Sequence, residues 1–374
     1  MALPREVYQA LEDIVEPDNI SEEPAILDPY AFQPFNKLQM TGQSHWMLRP
    51  EAVVLPGSTN EVQAIVRTCN RYGIKCKPQS AAWGPEATVN VKGSIVLDLR
   101  RMNRILEIDE QNMFVVVEPY VINAQLQAEL MKRGLNIHMI GGGASCSALA
   151  ACTAFAGSGP DSIFLGHSSQ NLLATEWVLP TGDIVRTGSW GSGAGCFCGE
   201  GPGPSVRSIM RGALGTSGGM GVFTKCAIKV SPWPGPAVIP IEGTIPAYNT
   251  PVPENFRVHT IACPTWKTLA EAYYKICRAE IAYIAKREFN LWGEALWPAI
   301  LRLFTDHMKT LSDLPELLET PEIQKLAEEG KLSFQIVLAG NSLRDIEYKE
   351  RVLDEILAET GGEKGSCNGR TRRA

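Results

Sequence analysis

The 374-residue chain has no run of about 18 consecutive apolar residues, the length a membrane-crossing helix needs. Its first residues, Met1-Ala-Leu-Pro-Arg-Glu, lack the basic-then-apolar order of a secretory signal. Together these absences predict a cytoplasmic protein with no membrane span. Positive charge is not in excess either: 35 basic side chains face 41 acidic ones, a formal net charge of −6, so no broad basic surface is available for nucleic acid or anionic lipid. There is no Cys-x-x-Cys. The ten cysteines are scattered through segments such as Arg67-Thr68-Cys69-Asn70 and Lys225-Cys226-Ala227-Ile228, which read as reduced core thiols rather than a disulfide framework. The one close pair, Cys196-Phe197-Cys198, has no second pair at zinc-ligand spacing, and no metal site is expected. No Gly-x-Gly-x-x-Gly follows a strand and opens a helix, and no Gly-x-x-x-x-Gly-Lys-Ser/Thr occurs. Any nucleotide must be held in another way. Gly215-Thr216-Ser217-Gly218-Gly219 fits Gly-x-Ser-x-Gly, but the order here is helix, glycines, strand, the reverse of a hydrolase nucleophile turn.

What is present reads as α+β. A helix over Pro4 to Val15 leads into an acidic, proline-rich stretch, taken as an extended lead-in through residue 50. Folding proper is expected from Glu51: strand Ala52–Leu55, a helix opened by Ser58 with Glu61 and stopped at Gly73, and strand Ile74–Lys77. The small-residue loop Pro78-Gln79-Ser80-Ala81-Ala82-Trp83-Gly84 follows. Strands are then predicted over Ser94–Leu99, Ile105–Ile108 and Phe114–Val117, antiparallel in character. Asn123 is read as the cap of a helix ending at Gly134, and Ser147–Ala156 as a buried helix after Gly141-Gly142-Gly143. A hairpin spans Leu172–Thr187, a glycine-dense stretch with one helix at Ser205–Leu214 follows, and Val222–Val230 returns to strand. Prolines between Ser231 and Pro253 mark the crossing to a second domain. That domain reads as strand Phe256–Ala262, helix Thr265–Ala285, strand Glu288–Leu291, helical stretches to Glu329 carrying Trp292 and Trp297, strand Leu332–Leu338 and helix Ser342–Glu359. It has no evident closing strand, and a disordered tail ends the chain.

Two loops of small residues, 78–84 and 141–151, each directly after a strand, can present successive backbone N–H groups as a concave nest for a pyrophosphate. Tight packing turns are the competing explanation, and the order of the whole motif set decides between them. Val54-Leu55-Pro56 with Glu61–Val66, the Pro78 loop, Ser94–Leu99 with Met102–Ile108, Val117-Glu118-Pro119, Trp177–Gly182 with Val185–Gly188, and Gly221–Lys225 succeed one another as in a known family. Over about Glu51 to Pro234 the chain resembles the FAD-binding oxidoreductases of the vanillyl-alcohol oxidase and p-cresol methylhydroxylase type, which include glycolate and D-lactate dehydrogenase flavoproteins.

The resemblance implies a two-subdomain FAD-binding domain over residues 51–235, then a ferredoxin-like α+β cap over residues 254–360 that covers the flavin and chooses the substrate. Pro78, Gln79, Ser80, Ala81, Ala82 and Trp83 would hold the FAD pyrophosphate. Gly143, Ala144, Ser145, Cys146, Ala150 and Ala151 would run along the flavin, with Ser158 and Gly159 nearby, and Gly215, Gly221 and Val222 would complete the adenosine side. No histidine lies between Gln79 and Gly84, where many relatives bond one to the flavin, so noncovalent FAD is expected. Cys146 falls near a position where bicovalent members carry a cysteine.

The family's late metal-binding histidine motif is missing, and the glycine loop departs from Gly-Ser-Glu-Gly-Thr-Leu-Gly. The implied activity is dehydrogenation of a small organic alcohol or 2-hydroxy acid, hydride passing to flavin and electrons to an iron–sulfur or other protein, or a quinone. An alkyl-dihydroxyacetone-phosphate synthase type without net redox change is the alternative within the fold, and a noncatalytic flavin-binding subunit of an electron-transfer complex the alternative outside it. Among His45, His138, His167, His259 and His307 no catalytic base is assigned; His167 lies near the expected cofactor path, and His259 on the expected substrate wall.

Overall fold

Apolar residues at three- and four-residue spacing make Arg5–Val15 a helix (α1) that buries Val7, Leu11 and Val15. The structure is a computed structural model and describes residues 3–31, 48–84, 87–155, 157–193, 195, 219–243, 250–287 and 332–365. After α1 come strand β1 (Ile20–Ser21), helix α2 (Pro24–Leu27), strand β2 (Val53–Val54) and helix α3 (Thr59–Tyr72). Ser58 Oγ accepts the Glu61 N–H, the Glu61 carboxylate accepts the Gly57 N–H, and left-handed Gly73 ends the helix. β3 (Lys75–Gln79) and β4 (Ser94–Asp98) complete a sheet of order β1-β2-β4-β3, in which β4 runs parallel to both β2 and β3.

Residues 3–31 are not a lead-in outside the fold. Leu3, Val7, Leu11, Val15 and Ile20 share one buried cluster with Val62, Ile65, Val66, Ile95 and Leu97, and Ile20 pairs with Val54. The acid and proline content of this stretch disguises the buried side chains Leu3, Val7, Leu11, Val15, Ile20 and Leu27.

A second sheet follows from β5 (Ile105–Asp109) and β6 (Phe114–Val117). The chain then runs through helix α4 (Asn123–Met131), strand β7 (Leu135–Asn136), short helices α5 (Ala148–Cys152) and α6 (Ser162–Leu165), and strands β8 (Leu172–Val178), β9 (Ile184–Arg186), β10 (Val222–Lys229) and β11 (Ser231–Pro232). The sheet order is β5-β6-β10-β8-β9, all antiparallel, while β11 pairs with β7. Trp177 and Phe223 stack at 4.7 Å in its core. Asn123 does not cap α4. Ile122 holds the cap position without a side-chain bond, and Asn123 Nδ2 donates instead to the Gly143 carbonyl, tying the helix to the glycine loop.

The chain divides into two compact units, Met1–Trp233 and Pro234–Ala374. In the second, β12 (Phe256–Ala262), α7 (Trp266–Ala279), β13 (Ala282–Lys286), β14 (Ser333–Ala339), α8 (Leu343–Thr360) and β15 (Glu363–Lys364) form an antiparallel sheet of order β13-β14-β12-β15. Two split strand–helix–strand units in this order make a ferredoxin-like arrangement. The expected helix through Ala285 stops at Ala279, because Glu280 turns left-handed and Ala282–Lys286 is used as strand. A closing strand exists after all: Glu363 and Lys364 pair with Ala262 and Ile261, a segment too short to show a period. The expected helix at 205–214, the strand at 288–291, the helical stretches to 329 with Trp292 and Trp297, and His45 and His307 lie outside the described residues.

Candidate functional site

The carboxyl ends of parallel strands are where open α/β sheets place ligands, and in this chain β3 ends at Gln79 and β4 at Asp98. The loop after β3 carries Ala82 in the left-handed region (φ 53°), a conformation that costs a non-glycine residue about 1–2 kcal/mol and collects at functional loops. Here a cleft opens in the first unit, with room for water-sized groups over about 130 Å³. Its wall comes from three segments distant in sequence. Pro78, Gln79, Ser80, Ala81, Ala82 and Trp83 supply one side, Cys146, Ala150 and Ala151 another, and Gly221 and Val222 a third. All of these were singled out from the sequence.

The remaining candidates adjoin the wall without being part of it. Gly143 donates its N–H to the Ile140 carbonyl, and the Ser158 carbonyl accepts the Gly141 N–H at 2.8 Å. Ala144 and Ser145 belong to the same loop, and Ala144 O accepts the Ala124 N–H from α4. A β-carbon at Gly159 would collide with the Met139 carbonyl, so residues 139–143 and 157–159 lie against each other. Gly215 lies outside the described residues. Sequence reasoning missed Leu99, Pro119, Ile140, Thr153, Phe155 and Phe223, which also line the cleft. Most of these read as core positions of a strand or helix; half-exposed Phe155 is the one whose signal was available, a large aromatic following a run of small residues.

The described wall has no charged side chain. An anionic group there would be met by backbone N–H groups and the Ser80 hydroxyl rather than by Lys or Arg, since the Ser147 and Thr153 hydroxyls donate to the Pro119 and Leu149 carbonyls. Gly143 is left-handed (φ 82°) with open space where a β-carbon would project, so a ligand can approach its backbone. Asn123 Oδ1, buried beside that loop, has no hydrogen-bond partner among the described residues. Burial pushes the Cys146 thiol up, toward the neutral form. Among the described residues no group of three or more His, Cys, Asp or Glu side chains is placed to hold a metal ion. His167 is exposed and is not in the cleft wall. His259 Nε2 is bonded to Glu350 of α8 at 2.8 Å; burial lowers its pKa in spite of that carboxylate. No described helix is long and apolar enough to cross a membrane.

Residues 50–188, which supply the first two cleft walls, match the FAD binding domain family. This segment is an FAD-binding domain. The chain is 30% identical over 215 residues to a D-lactate dehydrogenase of Anaerostipes hadrus, covering 56% of this chain and 43% of that protein. It is 32% identical over 199 residues to 1'-carboxy-chondrochloren decarboxylase of Chondromyces crocatus, covering 50% of this chain and 34% of that protein. It thus spans less than half the length of these relatives. Its fold is that of p-cresol methylhydroxylase with substrate bound, with a TM-score of 0.70 at 18% identity over 96% of this chain and 64% of that one.

Proposed function

We propose that the chain is the flavin-carrying part of an FAD-dependent oxidoreductase that dehydrogenates a small organic alcohol or 2-hydroxy acid and passes the electrons to a protein or quinone acceptor. The observation that carries this reading is the uncharged cleft at the carboxyl ends of β3 and β4, built largely from the segment that matches the FAD-binding family. Bound FAD supplies a two-electron acceptor that side chains lack. Gln79–Trp83 hold the pyrophosphate through backbone N–H groups. Cys146–Ala151 pack along the ring system with small side chains that allow close approach, and Phe155, Phe223 and Val222 exclude water from it. The choice of a hydroxy acid leans on the D-lactate dehydrogenase relative.

The test begins with the visible spectrum of the purified chain, or of the chain reconstituted with FAD, followed by anaerobic addition of D-lactate, glycolate and simple alcohols. Loss of flavin absorbance supports the full reading. Bound FAD that none of these reduces sinks the substrate class and leaves the cofactor, whereas a protein that cannot take up FAD sinks both.

A further inference from the structure

We propose that His138 and Asp161 are positioning residues for the cofactor, a buried clamp that sets the spacing of the two glycine-bearing segments flanking the cleft. The inference rests on the reading that the cleft holds FAD. His138 stands just before residues 139–143, and Asp161 just after residues 157–159. His138 Nδ1 lies 2.6 Å from Asp161 Oδ1, and Asp161 Oδ2 accepts the Met139 N–H at 2.9 Å. His138 Nε2 faces the Gly157 carbonyl at 3.4 Å, and the same carbonyl accepts the N–H and hydroxyl of Ser168. One imidazole and one carboxylate therefore tie both segments together. There is no slack between them. A β-carbon on Gly157 would collide with Ile140, which lines the cleft, and one on Gly159 would collide with the Met139 carbonyl.

The 2.6 Å contact has one hydrogen between Nδ1 and Asp161 Oδ1, and the Met139 N–H occupies the other carboxylate oxygen, so both oxygens of Asp161 are engaged. Other buried carboxylates, Asp98, Glu118 and Glu176, pair with Arg100, Arg104 and Arg186, whose side chains are about half exposed or more. Among the described ion pairs, His138–Asp161 alone has both side chains at 10% exposure or less. Breaking even on stability is the usual result for such a pair, so its place beside the cleft points to geometry as its role. The elements around it, α5, α6 and the turn Ser168–Asn171, carry no charged side chain; the other ionisable groups there are Cys152 of α5, whose thiol burial pushes up to about 12, and exposed His167.

The test measures FAD affinity by titrating the apo form of the whole chain, with its thermal unfolding measured in parallel, for wild type, Asp161→Ala and Asp161→Asn. Asn keeps an acceptor for the Met139 N–H and an amide N–H that can donate to Nδ1, so it preserves both ties without the carboxylate. Asp161→Ala is expected to weaken FAD binding about 10- to 100-fold, the range for groups that orient a site from behind it. Asp161→Asn is expected to fold and to bind FAD within a few-fold of wild type. Wild-type affinity in a folded Asp161→Ala overturns the clamp, and a folded Asp161→Asn whose FAD affinity falls about 10-fold or more overturns it even if Asp161→Ala fails to fold. Failure of wild type to bind FAD at any pH overturns the cofactor reading instead.

Discussion

Gly142 lies under the Trp83 indole: a β-carbon at residue 142 would collide with Trp83 Nε1 and come within 2.8 Å of Cys146 Sγ. The contact joins the loop after β3 to the glycine loop, and Trp83 and Cys146 line the cleft wall. Trp83 is 42% exposed, so its ring has somewhere to go.

Gly142→Ala should accordingly displace the indole at a cost of about 1 kcal/mol, the low end of overpacking, while altering FAD affinity. Gly159→Ala meets a backbone carbonyl, which cannot swing aside, and should cost about 3 kcal/mol. Denaturant unfolding of the two variants checks the order. A Gly159→Ala protein as stable as Gly142→Ala would mean that the two segments are not pressed together.

Glu176 predicts a pH effect. Burial alone would raise its pKa, but hydrogen bonds from Thr59, Lys225 and Arg186 and the Lys225 charge outweigh burial and lower it. A folded-state pKa below the unfolded value of about 4.3 contributes stability above that value, and the contribution is lost as pH falls through the folded value. Glu176→Gln should cost about 1–3 kcal/mol at neutral pH, because Lys225 and Arg186 lose their counter-charge. The gap between wild type and variant should close as pH falls below the carboxylate range; urea melts at neutral and acid pH read it directly.

Much of the first unit was legible because its signals are local. Ser58, Glu61 and Gly73 bracket α3, and the hairpin of β8 and β9 turns within residues 179–183. The loops of the candidate site were legible for a different reason: small residues directly after strands, in a fixed order. What failed was non-local. β1 is two residues long and owes its existence to pairing with β2, β15 owes its existence to β12, and Ala282–Lys286 is strand because β14 lies beside it. Cleft residues such as Ile140 and Leu99 carry no chemistry of their own and are at the site only because the chain folds past it.

His259 gives a prediction for the second unit. Its side chain is on the helix-packed face with Glu350, and burial depresses its pKa. A depressed histidine is held neutral in the fold, so its contribution is present above the unfolded value of about 6.5 and is lost as pH falls through the folded value. His259→Asn should flatten the loss of stability just below neutral pH, well above the window of Glu176, and leave FAD affinity unchanged. A drop in FAD affinity in that variant would give His259 a part in the site.

Cofactor attachment is the last point the residues address. The loop from Gln79 to Gly84 offers no histidine to bond a flavin, and Trp83 fills its end. Cys146 is the one thiol in the described cleft wall. A thioether would require its thiolate, whereas burial pushes the thiol toward the neutral form and no cation in the described wall offsets that. Acid precipitation of the yellow protein should therefore release FAD into the supernatant, from wild type and from Cys146→Ala alike. Colour that stays in the wild-type pellet but leaves the Cys146→Ala pellet would show that the thiol is activated once the cofactor is in place, and that an uncharged wall does not keep it inert.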